Sequence, residues 1–208
     1  MSVSWWRVGF VGAALVASLA LATSVAFAAA PQRSQPFYFA DPDHTLGELV
    51  PDARAQLGRT PNGISAQINT RDLDRGAYTV WWIVWNDPSE CTNGCGEDDL
   101  GVPGNFVGFA TGGGVGASGN GGFGASLRVG DEGVPGETLL VSNDGMGLTD
   151  PADAEVHLVV RYHGPIVPAE MPGQIKTFAG ACTPGSSLGI GDGAFDCLDV
   201  QAVMFLAP

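Results

Sequence analysis

From residue 62 onward, apolar and polar positions alternate in short runs separated by Gly, Pro and Asn, the pattern of strands joined by tight turns. Ile64 to Thr70 is the first such strand. Tyr78 to Asn86 is the most hydrophobic run and is apolar on both faces: Tyr78, Val80, Trp82 and Val84 point one way, Thr79, Trp81, Ile83 and Trp85 the other. Asn105 to Thr111 and Gly122 to Val129 read as a hairpin, with loose turns at Gly112-Gly113-Gly114 and Gly119-Asn120-Gly121. Thr138 to Ser142, Glu155 to His163, Gln174 to Ala179 and Val200 to Leu206 complete about eight strands. No segment after residue 60 has a convincing helical period, so an all-β antiparallel sandwich over 61–208 is expected. Residues 29–60 read as a lead-in segment. There Leu46, Leu49, Ala53 and Leu57 predict a short helical piece interrupted by Pro51.

The N-terminal pattern is different. Arg7 precedes an apolar run from Val8 to Ala22, and Ala26-Phe27-Ala28 supplies an A-x-A cleavage site, so 1–28 is expected to be a signal peptide. The mature chain would then be secreted or periplasmic, with no membrane span unless the leader stays uncleaved as an anchor. The formal charge of −13 becomes more negative when the leader, with Arg7 and no acid, is removed. Such a surface repels phosphate backbones, which excludes nucleic acid as a partner. Roughly 180 mature residues suffice for one core.

Cys91, Cys95, Cys182 and Cys197 are an even set in an exported chain, and disulfides are the expected outcome. Three connectivities are open. Pairing Cys91 with Cys95 and Cys182 with Cys197 closes the short loops and needs no long-range assumption. The wide spacing of the second pair lacks the character of a zinc ribbon.

Two further motifs match only as text. Gly114-x-Gly116-x-x-Gly119 and Gly119-x-Gly121-x-x-Gly124 are followed by strand-like sequence, so no helix N-terminus faces a pyrophosphate. Gly185-Ser186-Ser187-Leu188-Gly189 has the spacing of a serine-hydrolase elbow, yet no His follows it in the chain.

Three groups remain as candidate sites. Trp81 and Trp85 lie ~13 Å apart on one strand face, a shelf on which sugar rings would stack. His157 and His163 share a face with Glu155 and Arg161 but lie roughly 20 Å apart along a straight strand, too far for one metal. Either is a ligand only with carboxylates from elsewhere. Asp192, Asp196 and Asp199, with Glu97-Asp98-Asp99, form acidic loops that suit calcium, and no other cofactor is expected.

Leu73, Gly76 and Tyr78 resemble the tyrosine corner of fibronectin-type and immunoglobulin-like sandwiches. Gly147-Leu148-Thr149-Asp150-Pro151, Ala154-Glu155-Val156-His157-Leu158 and His163-Gly164-Pro165 are similar to the CHRD family of extracellular β-domains. Members often carry two histidines two apart in that strand, where this chain has Leu158 and Val159 after His157. The resemblance implies an extracellular module and no settled catalysis, and the sandwich is expected to be Greek-key, immunoglobulin-like or CHRD-like. The expected function is therefore an exported, non-catalytic binding or structural module for an extracellular glycan or protein. A calcium- or copper-binding protein, or a metal-dependent enzyme, using His157 and the acidic loops is the alternative.

Overall fold

The structure, a computed structural model, describes residues 30–41, 44–100, 102, 105–131, 139–141, 147–178, 180–183 and 195–208. The leader, the segment 185–189 and Asp192 lie outside them. Among the described residues the strands are β1 (Gln32–Ser34), β2 (Phe37–Phe39), β3 (Leu46–Leu49), β4 (Arg54–Thr60), β5 (Gly63–Thr70), β6 (Gly76–Trp85), β7 (Phe106–Val115), β8 (Gly121–Arg128), β9 (Leu139–Val141), β10 (Glu155–Tyr162) and β11 (Leu198–Phe205). They form two antiparallel sheets packed face to face, a four-stranded one in the order β1-β4-β5-β8 and a seven-stranded one in the order β3-β2-β11-β10-β6-β7-β9. The expected β-sandwich is the observed architecture.

The core is built by the alternation. Tyr78, Val80, Trp82 and Val84 of β6, with Val156, Leu158 and Val160 of β10, face Leu57, Ile64, Ile68, Phe123 and Leu127 of the opposing sheet. The chain passes between sheets at residues 71–75, where the Tyr78 hydroxyl donates to the Asp74 carbonyl at 2.9 Å and ties down the corner. The disulfides join Cys91 to Cys95 and Cys182 to Cys197, so both short loops are closed.

Three local expectations are corrected. Residues 32–60 form β1 to β4 instead of a helix-bearing lead-in, and they contribute to both sheets. Around β4 the buried positions are Ala53, Ala55 and Leu57, a period of two. The spacing of four from Leu49 to Ala53 to Leu57 fits either period, and Ala55 decides it. Second, β7 and β8 are not a hairpin: β7 pairs with β6 and β8 with β5, so 116–120 crosses between sheets. The Leu73 N–H donates to the Gly119 carbonyl at 3.1 Å and fastens this crossing to the preceding corner.

Third, where a strand is expected at Gln174 to Ala179 the chain forms a short helix, α1 (Met171–Lys176), and Ala179 lies outside the described residues; with β1 to β4 gained and this strand lost, the described strands are eleven. Buried Gln174 accounts for it. Its amide accepts from the Val167 N–H and donates to the carbonyls of His163 and Pro165, satisfying a backbone segment that no strand pairs. The helix lies against β6 and β7. Glycine at position 112 permits this, since a Cβ there would stand 2.0 Å from the Tyr78 carbonyl oxygen and 2.7 Å from that of Ile175.

Candidate functional site on the outer face of the seven-stranded sheet

The face of β6 turned away from the core carries Thr79, Trp81, Ile83 and Trp85, and it is covered. Helix α1 and Phe178 cover Trp81, which packs with Ala110 and stands edge-on to the Phe178 ring at 4.8 Å. The Cys91–Cys95 loop lies over Trp85, which packs with Cys95 and Phe106. Trp81 is 8% exposed and Trp85 1%. The sugar-stacking shelf is thereby corrected: the rings are the apolar floor under two loops, and no glycan reaches them.

A polar row crosses this face. Thr79 of β6, Arg161 of β10 and Asp199 of β11 are cross-strand neighbours. A register shift between Val160 and Arg161 brings Asp199 onto the outer face beside the guanidinium. Arg161 donates to Asp199 at 2.7 Å, and its guanidinium stands 4.9 Å from the Trp81 ring centroid. From the β2–β3 turn, His44 donates through Nε2 to Asp199 at 2.8 Å and through Nδ1 to Glu97 at 2.5 Å. The hydrogen bond to Asp199 outweighs partial burial and, with Glu97, raises the imidazole to about 9. Burial pushes the Asp199 carboxyl up, but the His44 hydrogen bond and the Arg161 charge prevail and hold it below the ordinary carboxylate range.

The row ends at His163, which is fully buried. Its Nδ1–H donates to the Gly180 carbonyl at 2.6 Å, and its Nε2 accepts from the Thr79 hydroxyl at 2.8 Å. Burial lowers this imidazole to about 4, only partly offset by the Gly180 bond. Hydroxyl, imidazole and orienting carbonyl stand in the order of a nucleophile–base pair. Both Thr79 and His163 are 0% exposed, so no substrate atom reaches the hydroxyl. Glycine at 164, with φ +83°, lets Phe195 close over the site, since a Cβ there would stand 2.4 Å from the Phe195 ring.

The other expected residues are placed apart. His157 donates through Nε2 to Glu155 at 2.7 Å and lies edge-on to Trp85 at 4.8 Å. Asp196 accepts from the Thr183 hydroxyl at 2.9 Å. Asp199 is committed to Arg161 and His44, so it is not free to join Asp196 around a calcium ion. Asp99 is buried and accepts from the Thr92 and Gly96 N–H groups. Among the described residues, one group of three metal-ligating side chains gathers: His163, Cys182 and Cys197, with the two sulfurs joined as the disulfide.

Sequence reasoning missed His44 as a partner of Asp199, across 155 positions of chain. The signal it offered was Arg161, a lone cation in the alternating strand. Among the described residues no helix is long and apolar enough to cross a membrane. No family model matches the chain, and neither a curated protein nor a solved structure is significantly similar to it.

Proposed function

We propose that the chain is an exported, non-catalytic β-sandwich that acts as a binding or structural module outside the cytoplasm. The observation that carries this reading is how the outer-face groups are used. Arg161, Asp199, His44, Thr79 and His163 bond to one another or to the covering segments, and their reactive atoms serve to hold loops on the sheet. The A-x-A leader and the two closed disulfide loops support export.

The stretch resembling the CHRD family supports the same class, because its residues do structural work. Leu148, Ala154, Val156 and Leu158 lie in the core, Asp150 accepts from the N–H groups of Ala152 and Asp153, and Gly164 makes room for Phe195. Among the described residues the sheet margin offers apolar surface for recognition: the edge strand β3 exposes Leu46 (56%) and Leu49 (57%).

The test uses mature, oxidised protein. Elemental analysis is expected to return no stoichiometric metal, and immobilised protein is expected to bind a component of the extracellular fraction saturably, with the Leu46→Asp/Leu49→Asp variant losing that binding. Stoichiometric metal that leaves on Glu155→Gln or His157→Ala substitution would replace this reading with the metal-protein alternative.

A further inference from the structure

Charge is divided unevenly between the two sheets. The chain has 22 acidic against 9 basic residues, yet the four strands β1, β4, β5 and β8 contain Arg33, Arg54, Arg59 and Arg128 and no Asp or Glu. Alternation sorts these arginines. Arg59 falls on the core side with Leu57 and donates to the Pro151 carbonyl at 3.0 Å, whereas Arg33, Arg54 and Arg128 are exposed on the outer face. Register places their neighbours. Arg33, Gln56, Gln67 and Gly124 form one row across the sheet, and Arg54, Asn69 and Gly122 form the next. Arg128 lies opposite Gly63, six positions along β5 from Asn69, so the cations stand at the two ends of the face, roughly 20 Å apart along the strands.

Two features set this face apart from an ordinary solvated sheet. Among the described residues no hydrogen bond or ion pair engages the side chains of Arg33, Arg54, Arg128, Gln56 or Gln67. The nearby acids sit in turns at the margins: Asp52 precedes β4, and Asp131 accepts from the Arg128 backbone N–H at 3.1 Å. The second feature is Gly122, exposed in the interior of β8. Its φ is not in the left-handed region, and a Cβ there would meet nothing nearer than the Asn69 side-chain oxygen at 3.9 Å. Neither backbone nor packing requires glycine at this position. Glycine inside a strand weakens it and often marks the close approach of a ligand or another chain.

Charge complementarity selects the partner. Three guanidiniums with no carboxylate on the strands between them attract anionic groups that the rest of this acidic surface repels, and the guanidinium fork matches a carboxylate through two parallel hydrogen bonds. Between the cations lie neutral amides and hydroxyls, which both donate to and accept from the hydroxyls of a sugar. The outward positions carry no aromatic ring, so nucleic-acid bases find no platform on which to stack. We propose that the outer face of the four-stranded sheet is a docking surface for a carboxylate-bearing polysaccharide: Arg33, Arg54 and Arg128 hold its carboxylates, Gln56, Gln67 and Ser65 its hydroxyls, and Gly122 leaves room for the chain. This surface is separate from the β3 margin. The choice of a polysaccharide rests on the export in the proposed function, and the polyanion-binding face does not.

The test measures binding of the mature, oxidised protein to polygalacturonate, alginate and hyaluronate by calorimetry in calcium-free buffer, with dextran and oligo-dT as the neutral and phosphate-bearing controls. At least one polyuronate is expected to bind, more weakly as salt rises, and neither control is expected to match it. Substitution by serine at Arg33, Arg54 and Arg128 is expected to weaken binding about three-fold each and about thirty-fold together. Gly122→Thr places a strand-favouring side chain on the face; it is expected to leave the melting midpoint unchanged or higher and to weaken binding at least about ten-fold. Leu46→Asp/Leu49→Asp is expected to bind polyuronate as the wild type does, so a failure of the β3 margin as a recognition surface leaves this result standing. The proposal is overturned by a protein that binds none of the three polymers, by binding indifferent to salt, by oligo-dT binding as tightly as polyuronate, or by affinity unchanged in the triple arginine variant or in Gly122→Thr.

Discussion

The two faces of β6 are both dry, yet they are sealed by different physics. On the inner face Tyr78, Val80, Trp82 and Val84 meet a second sheet, and the contact is mainly apolar. On the outer face Trp81 and Trp85 have only small clusters above them, and the cover is fastened by named polar ties: Arg161 to Asp199, Asp199 to His44, His44 to Glu97, and Thr79 through His163 to Gly180. Apolar burial is non-directional and tolerates exchange of one hydrocarbon for another of similar volume. A polar tie depends on particular atoms, and losing one leaves its partner buried and unpaired. The inner face should therefore fail by cavity and the outer by orphaned charge.

The largest expected effect is on the inner face. Trp82 is fully buried, stacks on Phe109 at 4.8 Å and donates its indole N–H to Thr111 at 3.1 Å. Trp82→Ala is expected to cost about 4 kcal/mol, read as a lower urea midpoint at an unchanged slope. Trp82→Phe, which keeps most of the ring, is expected to recover more than half. If both variants unfold at the wild-type midpoint, the inner face is not where stability resides.

On the outer face the matching variant is Asp199→Asn. It keeps shape and removes the buried negative charge that Arg161 and His44 both face, and is expected to cost about 3 kcal/mol. The double variant Arg161→Met/Asp199→Leu removes both charges and is expected to be more stable than Asp199→Asn alone. A double variant as unstable as the single one would mean that volume, not the orphaned charge, governs this face.

The same contrast explains what was legible in the sequence. Ile68, Val80, Trp82 and Leu158 announce their burial because a strand's period of two is local, and Tyr78 announces its corner because its partner Asp74 is four residues away. The outer seam joins residues that are distant in the chain, and its register depends on a bulge beside Arg161 that no composition signals. Residues 174–176 read as a strand for a related reason. Gln174 looks like one polar position in a short strand, and only the loop that it satisfies reveals a helix. Among the site residues, the cysteine pairs were legible as local loops, whereas the burial of Trp81 and Trp85 was not, because a strand apolar on both faces fits a covered sheet and an exposed shelf equally.

A comparable effect tests the buried end of the seam by pH. Above about 6.5 His163 is neutral in both folded and unfolded chains. As pH falls from there to about 4, the unfolded chain takes up a proton that the folded imidazole refuses, so stability declines over that window. The loss is on the order of 3 kcal/mol for a shift of this size. In urea melts of the oxidised protein between pH 7 and 4, His163→Gln is expected to lack this part of the slope. A variant with the same slope as wild type would assign the acid sensitivity to carboxylates instead.

His44, at the exposed end, is expected to act in the opposite window and more weakly. Its imidazole is raised to about 9, so the tie to Asp199 and Glu97 is complete below the unfolded value of about 6.5, where His44 is charged in both states. Between there and about pH 9 the folded chain retains a proton that the unfolded one has lost, and the stabilisation fades as pH rises through that range. Solvent screens this end, because Glu97 is largely exposed, which limits the effect to about 1 kcal/mol or less. Melting curves at pH 6 and 9.5 for wild type and His44→Gln are expected to differ at the lower pH and converge at the higher. Curves that differ equally at both would mean that the ring holds the β2–β3 turn by packing on Phe39, 4.8 Å away, and the outer face would then resemble the inner one more than its polar seam implies.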